Sequence, residues 1–113
     1  MPPDRDLVSL RQMLDHAGEA VALVEDRTRE ELDTQRVLCL ALVQLLQIIG
    51  EAAGRVSADR QARHPEIPWP HIVALRNRLI HGYDTVDFDI LWQIITTDLP
   101  PLISAVEKIL ASS

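Results

Sequence analysis

Residues 75–84 read LRNRLIHGYD. Leu75, Leu79 and Ile80 have the spacing of an amphipathic helix near its end, and Gly82 supplies a stop. Yet the same short stretch holds three basic side chains (Arg76, Arg78, His81), an amide (Asn77) and a phenol (Tyr83). At about 100° per residue, Ile72, Val73, Leu75, Leu79 and Ile80 form one apolar arc, with Arg76 near its centre. A guanidinium there has to snorkel out or find a partner, because an unpaired buried one is costly. Asn77 and His81 are four positions apart and share the face beside that arc.

Upstream, RHPEIPWP (63–70) is rich in proline and reads as a connection, with Pro70 in the first turn of a helix over about 70–81. Earlier still, Leu7, Leu10, Leu14, Ala17, Val21 and Val24 recur at spacings of three and four, which places them on one face of a first helix. DRTREEL then supplies a polar turn and acidic residues for the start of a second helix, from about 29 to about 57. Its middle, VLCLALVQLLQII, is apolar on all sides, as expected for the central helix of a bundle. Gly50 and Gly54 mark a close helix crossing. Downstream, a fourth helix begins near Val86 with Ile90, Leu91, Ile94 and Ile95 inward. Pro100 and Pro101 interrupt it, with Asp98 as a cap, and a fifth helix carries Leu102, Ile103, Val106, Ile109 and Leu110. There is no strand pattern, repeat or linker. The expectation is an all-α bundle of four or five helices forming a single domain over residues 1–113.

The composition, 47% apolar with a net charge of −6, is that of a soluble folded protein. Cys39 has no disulfide partner and lies in an apolar run, so a reducing cytoplasm is the expected home. The opening MPPDRDLVSLRQ carries charges where a signal peptide needs its apolar core. The run from Val37 to Ile49, with Gln44 and Gln47 inside it, is too short to span a bilayer, and no membrane association is expected. An acidic protein is a poor non-specific ligand for nucleic acid, but the charge is uneven. Residues 51–81 set five arginines against Glu51, Asp59 and Glu66, a local charge of +2 that leaves −8 for the remainder. An anionic ligand should approach there. His16, His64, His71 and His81 lack ligand spacing with Cys39 or with paired carboxylates, so neither metal nor other cofactor is expected.

The residues alone leave two readings open. In one, Arg76 is a forked cation for a phosphate, His81 is a proton carrier, and Asn77 orients substrate or imidazole. In the other, Arg76 pairs with a carboxylate such as Glu51, His81 caps helix carbonyls, and Tyr83 packs at a bundle edge.

IPWPHIVALRNRLIHGYDTVDFDILWQIITTDLPPL (67–102) closely resembles the HepT-like branch of the HEPN superfamily of small all-helical proteins. The signature of that branch is Arg, four residues, His, one residue, Tyr, met here by Arg76, His81 and Tyr83, with the usual polar residue after the arginine supplied by Asn77. IIGEAAGRVS (48–57) resembles the second-helix segment, and the likeness runs over roughly 40–103. The resemblance implies a metal-independent endoribonuclease, the toxin of a type VII toxin–antitoxin pair. It implies a homodimer that brings two motifs together across a cleft. It also implies an MntA-like nucleotidyltransferase partner that attaches AMP to the motif tyrosine, here Tyr83. RNA is cut without metal when the ribose 2′-OH attacks the adjacent phosphate; His81 is the motif's proton carrier and Arg76 its charge stabiliser. Arg55, Arg60, Arg63 and Arg78 are candidates for an RNA-facing rim, and Glu51 for an anchor of Arg76 or a neighbour of the site. Trp69 and Trp92 read as packing, and His64 and His71 as surface groups. The alternative is a non-catalytic HEPN dimer that partners a nucleotidyltransferase.

Overall fold

The structure, a computed structural model, describes residues 4–81 and 85–113, and His81 through its backbone only. Helix α1 (Arg5–Val24) starts where the Asp4 carboxylate accepts the Asp6 backbone N–H at 2.9 Å. It buries Leu10, Met13, Ala17, Ala20 and Val24 against α2 (Arg36–Arg55) and α7 (Leu99–Ala111). The other side of α2 receives two short helices, α4 (Trp69–Val73) and α5 (Leu75–Leu79). Leu42, Leu46 and Ile49 of α2 are fully buried at the centre of one apolar cluster. The architecture is the all-α bundle expected.

The second helix of the expectation is divided. Arg29–Asp33 is a separate 3₁₀ turn, α2 begins only at Arg36, and α3 (Ala58–Arg63) follows it. Ser57 makes that last break: its hydroxyl accepts the Arg60 N–H at 3.2 Å and donates to Asp6 at 2.6 Å. The Ser57 hydroxyl and the Ser57 backbone N–H, which donates to the same carboxylate at 2.9 Å, hold the Asp6 carboxyl below the usual carboxylate range. Nor is the middle of α2 enclosed on all sides. It is long and apolar enough to cross a membrane by composition, yet it packs against α1, α4 and α5. Val37 and Leu40, 81% and 55% exposed, lie on a stripe that nothing among the described residues covers.

The helix expected over 70–81 is two helices and a strand. The chain bends at Ala74 (φ −93°, ψ 12°), and Ile80–His81 (β1) pairs antiparallel with Thr85–Val86 (β2), Ile80 opposite Val86. No strand was expected; the cross-strand pair of β-branched side chains and the Asp87 N–H, which donates to the Leu79 carbonyl at 2.8 Å, favour the ladder over another helical turn. The bend also invalidates the helical projection that placed Arg76 within an apolar arc. Leu75 and Leu79 are buried, whereas Arg76 is exposed.

The two C-terminal helices form one rod. Helix α6 (Phe88–Gln93), capped by the Asp87 carboxylate on the Ile90 N–H, runs through a π-helical turn (Ile94–Asp98) into α7. Pro100 and Pro101 lack the N–H groups an α-helix would use there, and their rings crowd the preceding turn. The wider π turn accommodates them without ending the helix. Asp98 does not cap α7 but pairs with Arg78.

Gly50 is the crossing point that the sequence indicates. A Cβ there would lie 3.0 Å from the Val73 carbonyl oxygen and 3.1 Å from that of Ile72, both backbone atoms. At Gly54 it would meet only Val73 Cγ1, at 4.0 Å. Gly50→Ala is therefore expected to destabilise the fold by about 1–3 kcal/mol through overpacking. Gly54→Ala should be neutral, or stabilising by up to about 1 kcal/mol from helix propensity. Parallel thermal melts check this, and equal shifts in the two variants would refute it.

Candidate active site

Arg76 stands on α5 where two clefts meet. One, about 390 Å³, lies between α2 and the α4–α5 bend and is lined by Gly50, Glu51, Val73 and Asn77. The other, about 580 Å³, runs toward the start of α2, past Gln44, Leu40 and Arg36. Arg76 and Gln47 line both. The far wall of the larger cleft includes Phe88, which the Arg29 guanidinium covers at 6.0 Å while it holds Asp89 at 2.6 Å.

Among the described residues Arg76 has neither an ion pair nor a hydrogen bond. Glu51, the anchor considered for it, lines the same cleft but accepts a 3.0 Å bond from the Gln47 amide and faces Arg55 at 3.7 Å. It sits beside the site and leaves Arg76 uncompensated. Asn77 is exposed in the same cleft. His81 follows two residues after α5 ends, with its backbone in β1; its side chain, and Tyr83 altogether, lie outside the described residues.

The other arginines do not gather around Arg76. Arg78 leaves α5 on a different side and pairs with Asp98 at 3.0 Å, in a separate cleft with His71 and Pro68. Arg60 is held by Asp4 at 2.7 Å and Asp6 at 3.7 Å, with its side chain only 15% exposed, so it tethers α3 to the start of α1. Arg55 pairs with Glu51, and Arg63 is exposed and lines neither cleft. Trp69 is buried, its indole N–H donating to the His64 carbonyl at 3.0 Å, and Trp92 packs against the core. The Cys39 thiol is buried and donates to the Leu32 carbonyl at 3.1 Å; burial pushes its pKa up, which suits an inert thiol. Sequence reasoning missed Gln47 and Arg36. Gln44, Gln47 and Glu51, at spacings of three and four, would have revealed a polar seam along α2.

The all-α bundle thus carries Arg76, unpaired among the described residues, with Asn77 beside it and His81 five residues on in the sequence. A model of the family described as "Ribonuclease HepT-like" matches residues 13–109, and the chain belongs to that family. It is 37% identical over 106 residues to the protein of Thermococcus cleftensis named "Probable ribonuclease HepT", covering 89% of this chain and 96% of that one. It is 33% identical over 98 residues to "Putative RNase MJ1380" of Methanocaldococcus jannaschii, covering 87% and 90%. With "Putative RNase TTE0752" of Caldanaerobacter subterraneus the identity is 32% over 104 residues, covering 88% and 93%. No solved structure matches the chain.

Proposed function

We propose that this protein is a metal-independent endoribonuclease, the toxin of a type VII, HepT/MntA-like toxin–antitoxin pair. Arg76 supports the reading most directly: an exposed guanidinium with no carboxylate partner among the described residues, beside Asn77, at the junction of two open clefts. The names of the relatives point to the same activity. In the proposed reaction the ribose 2′-OH attacks the adjacent phosphorus, and the bond from phosphorus to the 5′-oxygen breaks. The products are a 2′,3′-cyclic phosphate and a 5′-OH. His81 takes the 2′-OH proton or delivers one to the leaving oxygen, and a second copy of the motif supplies the other transfer. Arg76 meets the charge that builds on the phosphoryl oxygens, and Asn77 orients the phosphate or the imidazole.

A homodimer fits this division of labour. Val73, 48% exposed, borders the site, and Val37, 81% exposed, lies on α2 outside the lining of the larger cleft; both offer apolar surface for a second copy. The partner in regulation is a nucleotidyltransferase that adds AMP to Tyr83, in the cytoplasm where the RNA is. The runner-up, a non-catalytic HEPN dimer, is disfavoured because a silent member has no need of both Arg76 and His81.

The test is cleavage of a labelled RNA in EDTA, with analysis of the product ends. Retained activity with 2′,3′-cyclic phosphate and 5′-OH ends is expected. Loss of activity on chelation would refute the mechanism.

A further inference from the structure

The larger cleft has Arg76 at one end and Arg36 at the other. Arg36 is exposed and, like Arg76, has neither ion pair nor hydrogen bond among the described residues. Arg27, Arg29, Arg55, Arg60 and Arg78 all have carboxylate partners. Two uncompensated guanidiniums thus share one groove, and the one carboxylate among its lining residues, Asp33, is held by Arg29 at 3.0 Å. Arg36 is also electrostatically ill placed for its own helix, since it sits in the first turn of α2, where the dipole disfavours a cation. Local helix stability does not account for it.

Between the two cations the wall alternates in character. Gln44 and Gln47 offer amides, while Leu40, Val43 and Phe88 offer apolar surface. From Arg36 to Gln47, which neighbours Arg76, α2 advances about 16 Å at ~1.5 Å per residue. That is longer than one phosphodiester unit and suits a strand rather than a single nucleotide. Cations spaced along a groove with apolar surface and amides between them suit a single strand: phosphates on the guanidiniums, bases against the wall.

We propose that Arg36 binds a second backbone phosphate of single-stranded RNA, a few nucleotides from the one that Arg76 holds, so that the groove along α2 sets the path of the bound strand. The proposal rests on the ribonuclease reading and assigns the path of its substrate. Arg36 touches substrate away from the reacting atoms, so its loss weakens binding of longer strands. The competing occupant of this groove is a second copy of the chain, which the experiment separates.

The experiment measures fluorescence anisotropy of a labelled single-stranded RNA of about a dozen nucleotides, within the usual range of single-strand site sizes, over a salt series. Binding is read without turnover by using a strand with 2′-O-methyl riboses. Wild type, Arg36→Ala, Arg36→Lys and the charge-matched Arg11→Ala are compared; Arg11 is exposed on α1 and lines a different cleft. Arg36→Ala is expected to lower affinity about tenfold and to flatten the slope of log K against log salt by about 0.7, one released counterion on a single strand. Arg36→Lys should keep the slope, and Arg11→Ala should match wild type. If Arg36→Ala behaves as Arg11→Ala does while wild type cuts RNA, the strand path is wrong and the ribonuclease reading stands. If wild type neither binds nor cuts RNA, both fall. If Arg36→Ala converts a dimer to a monomer in sedimentation, and RNA affinity drops only with that conversion, the groove is a subunit interface and the proposal is overturned.

Discussion

His81→Ala is expected to lower the rate of RNA cleavage by about 10²–10⁴-fold, the usual loss when a positioned general acid or base is removed. Arg76→Ala should cost about 10²–10³-fold, the scale of a removed donor to a developing oxyanion. The two variants differ in what else can change. Arg76 is exposed and has no partner among the described residues, so its truncation should move folding stability by no more than about 0.5 kcal/mol. A large activity loss with an unchanged melting temperature therefore isolates a chemical role. His81→Ala keeps the backbone pairing opposite Thr85, so circular dichroism and melting serve as its control. Initial rates on a fluorogenic RNA give the answer. Activity within tenfold of wild type in His81→Ala would remove the histidine from the mechanism.

That Arg76 is available at all depends on tertiary structure. The helical projection placed it inside an apolar arc, where only a snorkelling or paired guanidinium is tolerable. The projection assumes one continuous helix, and the bend at Ala74 breaks it. The bend packs closely on α2: Gly50 admits the Ile72 and Val73 carbonyl oxygens at the end of α4. A contact between residues so far apart in sequence has no local signal. The long periodic elements, α1 and the core of α2, were legible because three-and-four spacing directly encodes a buried face. The prolines were misleading for a related reason. Pro100 and Pro101 do forbid an ordinary α-helical turn, but widening the helix is a second solution that the sequence does not distinguish from a break. As for the site, the Arg76–His81–Tyr83 spacing was legible, whereas the charge compensation of the surrounding arginines was not. Arg60 and Arg78 find their carboxylates on other elements, at Asp4 and Asp98. Once those pairs are made, Arg36 and Arg76 are the two arginines left in one groove.

Tyr83→Phe is expected to keep most of the nuclease activity and to escape the antitoxin. The phenol hydroxyl has no part in the proposed proton transfers, so removing one oxygen should leave cleavage within a few-fold of wild type. Its proposed use is as an acceptor: the phenolic oxygen attacks the α-phosphorus of ATP, pyrophosphate leaves, and a phosphodiester-linked AMP remains on Tyr83. Tyr83 is two residues beyond His81. In the proposed switch an AMP there would offer an anionic phosphate to Arg76, the cation that lacks a partner among the described residues. Such a phosphate would occupy the place of the substrate phosphate and repel the incoming RNA backbone. Inhibition would then require no change of fold, and modified protein should melt at or slightly above the temperature of the free form. The measurement is intact mass after incubation with ATP and an MntA-like nucleotidyltransferase, followed by the RNA cleavage assay. Wild type should gain one AMP and lose activity, whereas Tyr83→Phe should gain none and stay active. An AMP adduct that persists on Tyr83→Phe would show that another residue is the acceptor. If wild type is inhibited with no gain in mass, the antitoxin acts by binding alone, and the switch at Tyr83 is refuted.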